Sequence, residues 1–460
     1  MAGPATGTNP INVIDDSPMG ARQWVVVVLM IFLNALDGFD VLSSAFASPG
    51  ITKEWGIQRA ELGVVLSAEL VGMGFGSIIL GSIADKIGRK LDILVCLVVM
   101  SIGMYMAHAA TGVNNLTMWR LITGLGIGGM LAATNAVTAE VSSKAGRSAA
   151  MALYVIGYPV GGIIGGFAAQ GWLLVDYDWR AVFLFGAVVT AIMIPLTLLL
   201  VPETPAFFAA RRPEGALEKI NKSLRTFNLP AIAELPPPPP ERPKVSDILA
   251  NPRLRPTTLL LAFGYMFHTL TFYYILKFAV QIVADTGFTQ PQAASTLTYA
   301  NIGGAIGGAL FGLFLWKWDI KRPTIVAALL GVAAVAWFGV GHGHDLWAWR
   351  IAAFFTMFFL NAAIVGYYAA FARGFPAFAR ATGTGFVLGV GRAGAAGSPI
   401  VAGFLFQALG KSELLTVSLI MCVGAVLGAV LVWLVPLRDA DADVESHRDL
   451  GDIPAGAALD

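Results

Sequence analysis

Charged residues are scarce in this sequence: they make up 13% of its 460 residues, whereas 56% are hydrophobic. A soluble domain carries roughly 25% charged residues, so this composition excludes an ordinary soluble fold. The two cysteines, Cys96 and Cys422, both fall inside apolar runs, which argues against a disulfide framework. A formal net charge of +1 argues against a polyanionic partner such as nucleic acid. The composition therefore predicts a polytopic membrane protein.

The sequence also lacks the residue patterns of common enzyme sites. It shows no Ser-His-Asp set, no metal-ligand spacing and no phosphate-binding loop, so we expect no catalysis, no metal and no cofactor. The first 21 residues show no signal-peptide pattern, and the first apolar run is too long for the hydrophobic core of a signal peptide. We expect that run to remain as the first membrane helix.

Twelve apolar runs are each long enough, at about 20 residues or more, to cross a hydrocarbon core of roughly 30 Å as a helix. They fall near residues 24–47, 60–82, 91–110, 115–138, 149–171, 179–201, 257–281, 293–316, 323–341, 346–371, 382–407 and 413–435. Most Lys and Arg residues lie on one side if both chain ends and every loop after an even-numbered run are assigned to it. Because positive loops stay in the cytoplasm, the sequence predicts an all-α integral membrane protein with both termini cytoplasmic.

The chain shows a weak internal repeat. Trp119-Arg120 opens the fourth run and Trp349-Arg350 opens the tenth, which supports two six-helix halves at 24–201 and 257–436. We expect residues 202–256 to be a cytoplasmic linker, with an amphipathic stretch at 214–227 and an extended polyproline spacer at Pro236 to Pro240. Residues 1–23 and 437–460 are expected to be a cytoplasmic segment and a cytoplasmic tail.

Polar residues interrupt the first apolar run at Asn34, Asp37 and Asp40. Because these positions are three apart, they form one stripe on a helix, which Ser44 continues. A carboxylate facing lipid is costly, so the stripe must face other helices or a water-filled cavity. We interpret it as a site that handles an ion or a substrate, and the alternative is a packing contact with an internal counter-ion.

Other charged residues also lie within apolar runs. Glu69 and Arg120 lie at a depth similar to that of Asp40, so we expect a buried cation among carboxylates there. Arg392, in the eleventh run, has no obvious acidic partner in the second half, and a guanidinium can hold a carboxylate through two parallel hydrogen bonds. The alternative for Arg392 is a structural role against backbone carbonyls. Lys277, near the end of the seventh run, is expected to extend its ammonium group to the membrane surface.

The loop from Gly81 to Lys90 reads GSIADKIGRK, and its spacing is specific. It resembles the G-x-x-x-D-x-x-G-R-[RK] signature of the major facilitator superfamily, and this resemblance implies a twelve-helix fold. We expect a gate network at the cytoplasmic end, formed by Asp85, Arg89, Glu140 and Arg147. The alternative is a solvated basic loop that only sets topology. The equivalent loop in the second half is degenerate, with Trp316 where the Asp would be.

The motif Asp-Gly-Phe-Asp at 37–40, the motif Ser-Pro-Gly-Ile at 48–51 and the glycines around Arg392 narrow the resemblance. Together they resemble the aromatic acid:proton symporter family. This resemblance implies proton-driven uptake of a benzoate-like or hydroxybenzoate-like carboxylate across a bacterial inner membrane, and we expect a monomer in the lipid bilayer. We expect proton coupling at Asp37, Asp40, Glu69 and Arg120. We expect substrate binding at Arg392, Asn34, Tyr265, His268, Phe272, Tyr273, Asn301 and Asn361.

Alternative functions remain open at this point. The same fold could carry a non-aromatic organic acid, or export drugs in exchange for protons. A membrane sensor of such acids is a third alternative, and it would need an output element in the linker or the tail. His268 and the aromatic residues of the seventh run could also be packing residues rather than binding residues.

Overall fold

A computed structural model of the chain describes residues 9–236, 243–315 and 319–436. The expectations for residues 1–8, for Pro237 to Pro240, for Trp316 and for the tail at 437–460 concern residues outside these ranges.

The described ranges are helical and contain no strand. Twelve of their helices are long and apolar enough to cross a membrane, which confirms the number predicted from the sequence. The first six are α1 (Ala21–Trp55), α2 (Arg59–Ile87), α3 (Arg89–His108), α4 (Val113–Val141), α5 (Arg147–Ala168) and α6 (Arg180–Leu200). The other six are α7 (Arg255–Asp285), α8 (Gln290–Leu315), α9 (Lys321–Val340), α10 (Leu346–Gly374), α11 (Ala377–Leu409) and α12 (Leu414–Leu434).

Large apolar side chains remain exposed on these helices. Leu199 is 79% exposed, Ile78 is 67% exposed and Phe32 is 60% exposed. A water-soluble protein would bury such residues, whereas the hydrocarbon core of a bilayer solvates them. The charged residues of the first apolar run are instead fully buried, as the sequence predicts for a stripe that faces other helices.

Short helices precede α1 and follow α6. They are Pro10–Asp15, Pro205–Arg211, Ala216–Thr226 and Val245–Ala250. A small apolar core joins the first three of them, built from Val13, Ile14, Ala209, Ile220, Leu224 and Ile232. One face of the amphipathic stretch therefore packs against the N-terminal helix.

Packing divides the described chain into two compact units. The first unit holds residues 9–236 and Val280–Asn301, and the second holds 243–279, 302–315 and 319–436. The end of α7 belongs to the first unit, where it bonds to α1 and α2. The Thr52 hydroxyl donates to the Gln281 side chain at 3.1 Å, and Arg59 pairs with Asp285 at 2.5 Å.

Candidate functional site

A buried charge cluster lies in the first unit where α1, α2 and α4 meet. Arg120 forms an ion pair with Glu69, and both side chains are fully buried. The same guanidinium donates a hydrogen bond of 2.8 Å to the main-chain oxygen of Asp40. The structure thus brings together three of the four residues that we assign to proton coupling from the sequence.

A methionine sulfur and an aromatic ring contact the Arg120 guanidinium. One nitrogen lies 2.8 Å from the sulfur of Met104, and the Phe183 ring centre lies 5.3 Å from the guanidinium carbon. The Ser44 hydroxyl donates to Glu69 at 3.3 Å. Such apolar surroundings strengthen the attraction between Arg120 and Glu69 and make removal of either partner costly.

The two carboxylates beside Arg120 have different surroundings. Glu69 is held by the guanidinium, whereas no hydrogen-bond donor among the described residues reaches either carboxylate oxygen of Asp40. Asp40 interacts electrostatically with Arg120 and is fully buried. It can therefore gain or lose a proton without breaking a hydrogen bond within the protein, which suits a group that exchanges protons.

The other members of the α1 stripe face α3 and α5. The Asn34 amide donates to the main-chain oxygen of Tyr154 at 2.6 Å, so it bridges α1 to α5. Asp37 is fully buried and lies within electrostatic range of Tyr154 and Cys96. A side chain at Gly38 would overlap the main chain of α5, so the glycine permits this close helix contact.

A cluster of aromatic residues surrounds Arg392 in the second unit. Arg392 is half-buried and interacts electrostatically with Tyr265. The ring of Tyr265 occupies the space that a side chain at Gly391 would fill, so the glycine lets this ring lie against α11. The Tyr265 hydroxyl lies 3.3 Å from the hydroxyl of Tyr368, and the ring of Phe371 packs edge-on at 5.4 Å. None of the ion pairs within the described ranges includes Arg392.

His268 is fully buried. Its hydrogen bond and its ring contact described here are both to α10, whereas Arg392 lies on α11. Its Nε2–H donates to the main-chain oxygen of Leu360 at 3.0 Å, and its ring centre lies 5.3 Å from that of Tyr367, with the two rings tilted by 41°. Because a carbonyl can only accept, Nε2 carries the proton and Nδ1 does not when the ring is neutral. These contacts favour the packing interpretation of His268 over a role in substrate binding.

The remaining predicted binding residues are spread over both units. Phe272 and Tyr273 contact each other edge-on at 5.4 Å. The Asn361 amide donates to the main-chain oxygen of Gly304 at 2.7 Å, which joins α10 to α8. Asn301 belongs to the first unit and donates to Leu297 of its own helix at 2.8 Å. Both amide groups therefore donate to main-chain oxygens.

Lys277, which we expected at the membrane surface, is fully buried. The expectation rested on the position of Lys277 along the helix, which does not show whether the side chain faces lipid or the protein interior.

Three of the four predicted gate residues form one network at the end of the first unit where α2 meets α3, here called the α2–α3 end. Arg89 pairs with Asp85 at 2.6 Å and with Glu140 at 3.5 Å. Arg147 does not join them. It pairs with Asp15, which precedes α1, and donates to main-chain oxygens at the end of α4.

Sequence reasoning missed two members of this network. Glu203 accepts hydrogen bonds from the main-chain N–H groups of Arg89 at 2.9 Å and Lys90 at 3.2 Å, and the Thr204 hydroxyl donates to Glu140 at 2.6 Å. Burial raises the pKa of the Glu203 carboxyl above its usual range, although these donors oppose the shift. The pair Thr204-Pro205 is a typical helix start and would have indicated an ordered segment here.

A sequence model of the Major Facilitator Superfamily matches residues 27–282 of the chain. The chain belongs to this superfamily. A gallate transporter of Pseudomonas putida is 30% identical over 411 residues, which are 86% of this chain and 88% of that protein. The 4-hydroxybenzoate transporter PcaK of Pseudomonas putida is 28% identical over 438 residues, which are 93% of this chain and 96% of that protein.

The fold of the superfamily also recurs in solved structures. A bacterial homologue of the human lysosomal transporter Spinster, in an inward-facing and unoccupied conformation, gives a TM-score of 0.69 at 17% identity, covering 90% of this chain and 97% of that chain. Membership of the Major Facilitator Superfamily identifies the protein as a multi-pass membrane transporter rather than an enzyme. Within the described ranges, no group of three His, Cys, Asp or Glu side chains could hold a metal ion.

Proposed function

We propose that this protein is a proton-coupled symporter that imports an aromatic carboxylate across a bacterial inner membrane by alternating access. Relatives that cover most of the chain carry the names gallate transporter and 4-hydroxybenzoate transporter. The observation that carries the proposal is the half-buried Arg392, which lies beside Tyr265 and forms no ion pair with any described residue.

The surroundings of Arg392 fit a planar aromatic acid. A guanidinium binds a carboxylate through two parallel hydrogen bonds, and it does so more strongly where water is partly excluded. Tyr265 and Phe371 offer ring surfaces next to it, and the exposed Tyr368 offers a hydroxyl for the carboxylate or for a ring substituent. In the proposed function, Arg392 anchors the anion and these rings select an aromatic one.

Proton coupling is assigned to the acids of α1. Asp37 and Asp40 are both fully buried, and the carboxylate of Asp40 accepts no hydrogen bond from the described residues. A proton bound there during import neutralises a charge that would otherwise be costly inside the membrane. Glu69 is already neutralised by Arg120, so its proposed role is to hold that arginine in place.

Alternating access requires a gate that opens and closes. The network of Asp85, Arg89 and Glu140 is the proposed latch at the α2–α3 end, because charge-assisted contacts that form in one of two conformations shift the equilibrium toward it. Its Glu203 and Thr204 contacts extend the latch to the segment after α6.

Uptake by the purified protein in proteoliposomes tests the proposal. Under a pH gradient that is acidic outside, we expect radiolabelled 4-hydroxybenzoate or gallate to accumulate above the outside concentration, and a protonophore to abolish the accumulation. Unlabelled benzoate and hydroxybenzoates should compete. Benzamide, which has the ring without the charge, and succinate, which has the charge without the ring, are the matched controls.

Each alternative predicts a different result. Competition by succinate or muconate but not by benzoate would indicate a carrier of non-aromatic acids. Gradient-driven loss of a loaded drug would indicate an exporter. Saturable binding of the aromatic acid with no uptake would indicate a sensor.

A further inference from the structure

A buried carboxylate lies at the start of α3 and has no role in the proposal so far. Asp92 stands in the first turn of the helix and is fully buried. Neither of its carboxylate oxygens accepts a hydrogen bond from any residue in the described ranges. Ionisable groups of this kind within a membrane segment are rare and are functional more often than structural.

The charged groups near Asp92 belong to the latch. Arg89, three residues earlier on the same helix face, and Asp85 of α2 both interact with it electrostatically. The Nε atom of Arg89 is buried and has no acceptor among the described residues, while its other nitrogens contact Asp85 and Glu140. A donor and an acceptor without partners therefore stand one helical turn apart.

A thiol lies on the other side of Asp92 along α3. Cys96, one turn further on, is close enough to interact electrostatically with both Asp92 and Asp37 of α1. The residues of α6 from Ala181 to Leu200, which pack against α3, include no titratable side chain. Asp92 thus lies between Cys96 and Arg89 on α3, and Arg89 belongs to the network at the α2–α3 end.

Opposing effects act on the charge of Asp92. Burial without hydrogen bonds disfavours the carboxylate anion. The amino terminus of α3 and the Arg89 guanidinium favour the anion. Both the protonated and the ionised form are therefore accessible, which is what a proton-transfer group requires.

We propose that Asp92 releases a proton to water at the α2–α3 end during the transport cycle, and that ionised Asp92 draws Arg89 away from Asp85 and Glu140. The proton leaves the carboxylic acid of Asp92 and binds water, and no other covalent bond changes. Loss of the proton is thereby linked to weakening of the latch. The inference rests on the proposed symport function and adds a release step to it.

Proteoliposomes containing wild type, Asp92→Asn, Asp92→Glu and the exposed-loop control Asp176→Asn test this role. For each protein, two rates are measured with 4-hydroxybenzoate: net uptake under an inward proton gradient, and exchange of labelled for unlabelled acid at equal concentrations inside and outside. Exchange needs no net proton release, so the ratio of net uptake to exchange reports the release step. A pH-sensitive dye inside the vesicles reports the protons that enter. We expect this ratio and the proton entry to fall at least tenfold in Asp92→Asn, to recover in Asp92→Glu and to match wild type in Asp176→Asn.

Infrared difference spectra recorded on acidification give a measurement that does not need a neutral variant to fold. Asp92→Glu should move a carboxylic acid C=O stretching band relative to wild type, because the acid that takes up the proton then has a longer side chain. Identical bands would overturn the proposal.

Different outcomes would refute the role of Asp92 and the proposed symport function. A wild type that couples normally, with an unchanged ratio in Asp92→Asn, would refute the role of Asp92 alone. A wild type that exchanges the acid but shows no gradient-driven uptake would refute the proposed symport and the role of Asp92 with it.

Discussion

Replacing Glu69 by Gln tests the buried charge cluster most directly. Glu69 and Arg120 are fully buried and paired, so the substitution removes this ion pair and leaves the cation in contact with the main-chain oxygen of Asp40 and the sulfur of Met104. Breaking a buried ion pair by removing one partner costs about 3–5 kcal/mol, because an uncompensated charge stays out of water. We expect the free energy of unfolding of Glu69→Gln to fall by about this amount.

Asp40 provides a second readout of the same substitution. Its carboxylate can turn toward Arg120 once Glu69 is neutral, and it would then stay ionised and stop exchanging protons. Glu69→Gln should therefore lose more gradient-driven uptake than its loss of folded protein explains. The double variant Glu69→Gln/Asp40→Asn should be less stable than the sum of the two single-variant effects predicts. In each single variant the remaining acid can still compensate the charge of Arg120, whereas in the double variant neither can.

The assay is unfolding in detergent micelles, followed by tryptophan fluorescence. Asp178→Asn is the matched control, since Asp178 is 60% exposed and lies 3.5 Å from Arg180. An exposed pair of this kind contributes at most about 1 kcal/mol. A Glu69→Gln protein as stable as this control, together with an additive double variant, would refute the reasoning.

Three other substitutions test the remaining assignments. Arg392→Lys should weaken binding of 4-hydroxybenzoate in calorimetry, and Arg392→Ala should cost about 2–5 kcal/mol, roughly 30-fold or more in Kd, while unchanged affinity would remove Arg392 from the site. Asp37→Asn should still bind the acid but lose its accumulation under a pH gradient, and full accumulation would place the coupling elsewhere. The pKa of Glu203 is raised from its ordinary value of 4.5. Its contribution to the free energy of unfolding is therefore present below pH 4.5 and is lost as the pH rises through the raised pKa of the folded state. The melting temperature of wild type relative to that of Glu203→Gln should therefore decrease between pH 4.5 and the folded-state pKa of Glu203, and stay constant above it.

The helices could be predicted because a bilayer imposes a length on them. A membrane span needs about 20 apolar residues, and that pattern is visible in one sequence without any partner. The packing boundary could not be predicted in this way. It depends on Arg59 meeting Asp285 and on Thr52 meeting Gln281, which are contacts between residues far apart in the chain.

The candidate site could be predicted where a buried charge needs a partner. Arg120 was expected among carboxylates because an isolated guanidinium inside a membrane is too costly, and the structure pairs it with Glu69. Tyr368 and Asp15 could not be found by this reasoning. Tyr368 is one of many aromatic residues, and the pairing of Asp15 with Arg147 follows from the way the N-terminal helix packs.

The arrangement around Arg120 also separates roles that depth alone does not distinguish. Sequence reasoning placed Asp40, Glu69 and Arg120 in one proton-coupling set, because all three lie inside the membrane. To accept a proton, Glu69 must give up its ion pair with Arg120, and each 1.4 kcal/mol of that interaction makes protonation about tenfold harder. Asp40 has no such bond to give up among the described residues. Proton exchange is therefore easier at Asp40, and Glu69 is better suited to the lasting task of keeping Arg120 buried and aimed at the main chain of Asp40.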